Sequence, residues 1–148
     1  MGQKKVLNLF FEEPNKNFQI REIARIIKIP KTSAARYIKQ MLKGSLIKKR
    51  KGIYASYTGN ETNFFFNFYK KLYFLEEIYK SGLTEFLEEN LYTKCIILFG
   101  SFAKGEYVKN SDIDIFVQAK EKAINLTKFE KKLKHRINLF FEQKFENL

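Results

Sequence analysis

Disulfide chemistry is closed to this chain: its 148 residues hold one cysteine, Cys95, and a lone thiol has no internal partner. Nothing therefore calls for an oxidising compartment. Two prolines and seven glycines are too few for a collagen-like or low-complexity chain. Tryptophan is absent. The one histidine, His135, stands among Lys131, Lys132, Lys134 and Arg136 and is expected to face solvent. No apolar run approaches the roughly 20 residues that span a bilayer, so no membrane partner is expected. The stretch from Met1 is interrupted by Asn8, Glu12 and Glu13 and lacks a small-residue cleavage site, so it does not read as a secretory signal. The expected location is the cytoplasm.

Acidic residues are scarce in one half only. Residues 1–60 carry 14 Lys/Arg against 3 Glu, a net +11, while residues 61–148 carry 14 Lys/Arg against 13 Asp/Glu, a net +1. Codon bias toward Lys, Phe, Ile, Asn and Tyr accounts for lysine throughout, but not for acids missing from one half. A basic block on a compact module points to a polyanion partner. The chain is 45% hydrophobic and 30% charged, which suits a globular protein, and it is long enough for one ordinary domain or two small ones.

The clearest break is the polar stretch Thr58-Gly-Asn-Glu-Thr-Asn63. Before it the chain reads as three helices and a hairpin. After it comes an aromatic helix, Phe64 to Lys80, stopped by Ser81-Gly82. A short helix around Thr84–Glu89, a strand over Cys95–Phe99, a second strand over Ile113–Val117, a helix near Lys128–Lys134 and a last strand over Ile137–Phe141 follow. Thr127 and Glu130 have the spacing of a capping box. The fold class is α+β in two small domains: residues 1–58, a connecting segment over 59–83, and residues 84–148. Phe64, Phe65, Phe68, Leu72, Leu75 and Tyr79 recur at helical spacing, which makes an apolar face for packing between the halves or against a second copy. A homodimer is expected, because so much exposed aromatic surface is unusual on a monomer.

In the first half, Ile20, Ile23, Ala24 and Ile27 share one helical face, and Ile29-Pro30 stops that helix. The next helix, from Lys31, places Ala34, Ile38 and Leu42 inward. Lys31, Thr32, Ser33, Arg36 and Lys39 then face outward, where cations hold phosphates and hydroxyls reach base edges. Gly44 is expected to cap the helix. Leu46 to Tyr57 reads as two short strands turning at Gly52, with Lys48, Lys49, Arg50 and Lys51 at the turn. This region resembles the winged helix-turn-helix family over about residues 3–58. The resemblance implies that the helix from Lys31 enters the major groove of double-stranded DNA, with the basic hairpin as a wing on the backbone. The competing reading is a winged helix used for protein contacts alone.

In the second half, Ile96-Ile-Leu-Phe runs straight into Gly100-Ser101. Gly100 lets a phosphate approach the backbone, Ser101 offers a hydroxyl and an amide, and Lys104 adds a cation. Asp112 and Asp114 alternate with Ile113 and Ile115, which in a strand puts both carboxylates on one face. Two acids so spaced suit magnesium, which shares its oxygen ligands with substrate phosphates. The pattern Gly-Ser-x-Ala-x-Gly with Ser-Asp-x-Asp resembles the minimal nucleotidyltransferases of the DNA polymerase β superfamily, over about residues 84–142. The resemblance implies that Gly100, Ser101 and Lys104 hold the triphosphate of an NTP. It makes Asp112 and Asp114 the catalytic, metal-binding pair. One departure stands out. The family usually supplies a third carboxylate in a segment patterned basic-Val-Asp-Leu-Val, and here that segment is Arg136-Ile-Asn-Leu-Phe140, with Asn138 in the acidic place. Glu142 is about 13 Å further along an extended strand and cannot simply substitute.

Winged helices fused ahead of such a domain resemble a group of archaeal and bacterial transcriptional regulators. The leading expectation is a prokaryotic DNA-binding regulator whose second domain binds NTP and magnesium. The alternative is an active nucleotidyltransferase that modifies a protein or RNA, such as the antitoxin of a toxin–antitoxin pair with a toxin-like protein partner. An interaction module with both sites degenerate is the third reading.

Overall fold

The computed structural model describes residues 1–144, and the chain divides into two compact units, Met1–Lys70 and Lys71–Leu148. Among the described residues there are seven helices and two small sheets, a mixed α+β protein. No helix among them is long and apolar enough to cross a membrane.

The first unit is built from α1 (Gly2–Glu12), α2 (Ile20–Ile27) and α3 (Lys31–Lys43), followed by the antiparallel pair β1 (Ile47–Arg50) and β2 (Ser56–Gly59). Val6, Phe10 and Phe11 of α1 are buried, as are Ile23 of α2 and Ala34 and Ile38 of α3. On α3 the third fully buried place falls to Met41, and Leu42 is only half-buried. Position 41 lies seven residues after Ala34, two nearly whole turns, so it keeps to the face that the expected i+8 position has begun to leave. Phe18 exchanges backbone hydrogen bonds with Tyr57, each N···O 2.9 Å, and its ring meets Phe10 edge-on at 5.3 Å. The hairpin is thereby tied to α1.

Two expectations about this unit are corrected and one is refined. The helix ending at Ile27 stops at Lys28, which takes left-handed backbone (φ 57°), one residue ahead of the Ile29-Pro30 pair. Gly44 caps α3 as expected, with φ −82°, while the left-handed turn that follows falls on Ser45 (φ 54°). The amide of Leu46 then reaches back to the Met41 carbonyl at 3.0 Å, which closes the helix end. Finally, Lys48, Lys49 and Arg50 belong to β1 itself, so only Lys51 lies at the turn.

The helix α4 (Phe64–Ser81) opens on a cap, the Phe66 amide donating to Asn63 Oδ1 at 3.0 Å. It closes where the Ser81 hydroxyl donates to the Ile78 carbonyl at 2.6 Å and Gly82 turns left-handed. The second unit continues with α5 (Leu83–Leu91), β3 (Ile96–Phe99), α6 (Gly100–Lys104), β4 (Ile113–Val117), α7 (Thr127–Leu133) and β5 (Ile137–Phe141). The sheet order is β3-β4-β5, with β3 antiparallel and β5 parallel to β4. Ile113, Ile115, Val117 and Ile137 cluster with Leu83, Leu87 and Leu91 of α5 and Phe129 and Leu133 of α7. Ile97, Phe99 and Phe140 stay exposed, so the helices cover one face of the sheet and leave the other open. The capping-box expectation at α7 does not hold. The Thr127 amide is met by Asn125 Oδ1 at 3.0 Å, and Glu130 instead accepts from the Ile137 amide at 3.0 Å, joining α7 to β5.

Candidate functional site

The site is assembled at the end of the sheet where β3 finishes and β4 and β5 begin. Gly100 leaves β3 with φ +72°, a left-handed conformation that side chains rarely tolerate. A Cβ at this position would lie 2.6 Å from Asp114 Oδ2, so only glycine allows the backbone and that carboxylate to approach so closely. The single turn α6 is held from below by Phe102, which is fully buried. Its ring stacks on Tyr107 at 4.2 Å and meets Phe74 at 4.0 Å. Gly105, again left-handed (φ 75°), ends α6. Ser101 is half-buried at its start and Lys104 is exposed at its end.

Cross-strand register places Phe99, Asp114 and Asn138 in one row across β3, β4 and β5. Asp114 is half-buried, and its Oδ1 accepts a hydrogen bond from Asn138 Nδ2 at 3.0 Å. Asp112 stands one residue ahead of β4 and is exposed. Its place is set by a tight turn. The Val108 amide donates to Ser111 Oγ at 2.8 Å and the Ser111 amide to the Val108 carbonyl at 2.9 Å. On the far side the Ile113 amide donates to the Arg136 carbonyl at 2.8 Å. Gly100, Ser101, Asp112 and Asp114 therefore gather at one end of the sheet, with Lys104 at the far end of α6.

His135 corrects the expectation of an exposed side chain. It is half-buried, edge-on to Phe102 at 4.9 Å and to Phe74 and Tyr107 at 6.1 Å each. Its Nδ1 lies 2.8 Å from the Ser111 carbonyl, which can only accept, so Nδ1 carries the proton. Burial holds the imidazole below its ordinary pKa of 6.5, against the opposing pull of the Ser111 carbonyl and the Asp112 charge. His135 thus braces the turn that presents Asp112. Sequence reasoning misses it because four flanking cations suggest a solvated face. Ser111 is legible only as one letter of the Ser-Asp-x-Asp pattern. An open cleft of about 420 Å³ beside Asp112 is lined by Lys109, Lys134 and Arg136 as well as Ser111 and His135, and no sequence pattern brings Lys109 to the other two cations.

Among the described residues no three His, Cys, Asp or Glu side chains come together as a metal cluster. The donor set is two carboxylates and a neutral amide. That fits one magnesium ion completed by water and substrate phosphates, since this ion rarely sits in an all-protein cage.

In the first unit, Lys31, Thr32, Arg36 and Lys39 of α3 are exposed and Ser33 is half-buried. Lys48, Lys49, Arg50 and Lys51 are all exposed. Lys48 Nζ donates to Thr62 Oγ1 at 3.3 Å and Arg50 Nε to Thr58 Oγ1 at 3.2 Å, which steadies both on the hairpin. Arg36 lies over the Tyr37 ring at 5.2 Å. The ion pairs of Lys16 and Lys70 are elsewhere. Lys70 is fully buried, 3.5 Å from Glu61, and desolvation lowers its pKa while Glu61 opposes the shift.

No curated protein and no solved structure matches the chain. The family described as polymerase beta, nucleotidyltransferase, does match, over residues 66–148, and its domains are generally dependent on divalent metal. That span is more than half the sequence and contains the Gly-Ser turn, both aspartates and Asn138. The chain belongs to the polymerase beta nucleotidyltransferase family.

Proposed function

We propose that this protein is a DNA-binding transcriptional regulator whose nucleotidyltransferase domain binds an NTP together with magnesium. One observation carries the DNA-binding half. The exposed cations Lys31, Arg36 and Lys39 on α3, and Lys48, Lys49, Arg50 and Lys51 on the hairpin, form no ion pair among the described residues. Unpaired cations on a helix and an adjoining hairpin suit phosphates, and Thr32, Ser33 and Arg36 suit base edges. The winged helix-turn-helix reading of this unit makes α3 the groove-reading helix and the hairpin its wing.

In the second unit Asp112 and Asp114 would hold the magnesium, and Gly100, Ser101 and Lys104 would receive the triphosphate. Bound there, the ion supplies positive charge between the carboxylates and the phosphates. The glycine turn leaves room for a phosphate, while the Ser111 turn and His135 fix the approach of Asp112. With Asn138 in the acidic place, a base for the attacking hydroxyl is missing, and this favours nucleotide sensing over transfer. The experiment is fluorescence anisotropy of random and genomic duplexes with the full chain, at low and moderate salt, with and without NTP and magnesium. Absence of duplex binding even at about 50 mM salt removes the regulator reading.

The second reading, an active nucleotidyltransferase acting on a protein or RNA as an antitoxin would, is favoured by the intact approach of Gly100 to Asp114. Each labelled NTP incubated with the protein, magnesium and lysate tests it directly. A labelled acceptor band would put enzyme ahead of regulator.

A further inference from the structure

The helix α4 buries one stripe and leaves a second, apolar one bare. Phe66, Lys70, Phe74 and Ile78, spaced four apart, are its buried stripe and satisfy its packing. On the other side Phe65, Phe68, Leu72, Leu75 and Tyr79 follow one another at intervals of three, four, three and four. That is the 3.5-residue repeat by which one helix packs its side chains into the holes of another. Leu75 is half-buried, but Phe65 is 56% exposed, Phe68 44%, Leu72 46% and Tyr79 63%. Phe64 and Tyr69 flank the seam, 73% and 42% exposed. The rings stack along the helix, Phe64 on Phe68 at 6.2 Å and Phe65 on Tyr69 at 6.3 Å, which holds them as one surface.

We infer that a second copy of this chain covers this flank, α4 against α4 about a two-fold axis. The inference goes beyond the DNA-binding reading and does not depend on it. Area favours a second copy. At about 200 Å² per aromatic side chain, the exposed fractions leave roughly 600 Å² of mainly apolar surface on each chain. Two copies would bury about 1,200 Å², where specific stable interfaces begin. A patch of that size is also at the upper limit of what a monomer ordinarily exposes, about 300–600 Å². A seam with this repeat is self-complementary under a two-fold axis, so one patch serves both partners.

The test is the mass of the full-length chain in solution, by sedimentation velocity between about 1 and 100 µM. The expected mass is twice the 17.6 kDa of one chain. Phe68→Glu with Leu72→Glu should return it to 17.6 kDa, with unchanged far-ultraviolet dichroism reporting an intact fold. Should that variant misfold, Leu72→Cys on a Cys95→Ala background supplies a milder readout: oxidation should join two chains covalently at low micromolar concentration. A native monomer at 100 µM overturns the inference and leaves the flank to a different protein. So does a native dimer that neither the glutamates disrupt nor the cysteine cross-links.

Discussion

The side-chain amide of Asn138 donates to Asp114 Oδ1 at 3.0 Å across the parallel pair of β4 and β5. A neutral donor thus occupies the place where the family pattern calls for a third acid, and it engages one oxygen of the carboxylate expected to hold metal. Asn138→Asp would set two carboxylates side by side. Without a divalent ion they repel, and with one they share it. The expected result is a variant that melts lower than the native protein in chelator and regains stability in magnesium, a response the native protein shows far less. Given an acceptor, nucleotide transfer should rise by about 10²–10⁴-fold, the usual worth of a general base. Equal melting of both proteins with and without magnesium would take position 138 out of the site.

Asp112→Asn with Asp114→Asn should abolish magnesium-dependent NTP binding, since triphosphate and carboxylates tolerate each other only with a cation between them. Titration calorimetry checks this, and undiminished affinity in the double variant dissociates these residues from the nucleotide. Duplex binding should be unchanged in the same variant, because the basic residues belong to the other unit.

Gly100→Ala tests the turn without removing a functional group. Left-handed backbone costs an alanine about 1–2 kcal/mol. The added methyl also meets Asp114 Oδ2, which cannot simply swing aside while Asn138 holds its other oxygen. A fall in thermal stability and a larger fall in NTP affinity are expected. Full affinity in a folded Gly100→Ala protein would mean the nucleotide does not use this turn.

The parts of this protein that can be read from sequence are those where local chemistry decides. The Gly100-Ser101 turn and the Asp112-x-Asp114 spacing are backbone and strand facts, β4 falls where its alternation of Ile and Asp marks it, and β5 spans the expected Ile137–Phe141. Helix ends are less legible, because they depend on which carbonyl the following chain can reach. Gly44 offers the cheaper left-handed residue, yet Ser45 takes the conformation so that Leu46 can reach Met41. His135 misleads for a longer-range reason: its surroundings are rings from residues 74, 102 and 107, and its sequence neighbours say nothing of them. Lys70 is similar, since no local pattern announces a buried lysine whose acid is Glu61.

His135 should make stability depend on pH. Its folded pKa lies below the unfolded value near 6.5, so the unfolded chain binds the proton more readily. The contribution is fully present above the unfolded pKa and is lost as pH falls through the folded one. Thermal melts at pH 7.5 and pH 5 should therefore differ more for the native protein than for His135→Gln, in which the group no longer titrates. The carboxylates titrate in both proteins, so the comparison isolates the imidazole. An identical pH dependence in the two would show that the ring is hydrated.

Duplex binding, if electrostatic, should weaken steeply with salt, because each phosphate neutralised releases condensed counterions. Lys48, Lys49, Arg50 and Lys51 are exposed and form no ion pair among the described residues, so neutralising all four with glutamine should lower affinity on every sequence. The logarithmic salt slope should flatten by roughly 0.9 for each phosphate that the variant no longer neutralises. Lys48 and Arg50 also donate to Thr62 and Thr58, and glutamine can keep part of that bonding, which protects the hairpin. Arg36 should behave differently. On the outer face of α3 it is expected at base edges, so Arg36→Ala should narrow the gap between the preferred duplex and a random one. Removing one well-placed bidentate pairing to a base costs about 1–3 kcal/mol of discrimination. Binding curves at two salt concentrations on both duplexes separate the two roles. A uniform weakening for Arg36→Ala, matching that of the hairpin variant, would put α3 on the phosphate backbone as well and leave base reading to some other element.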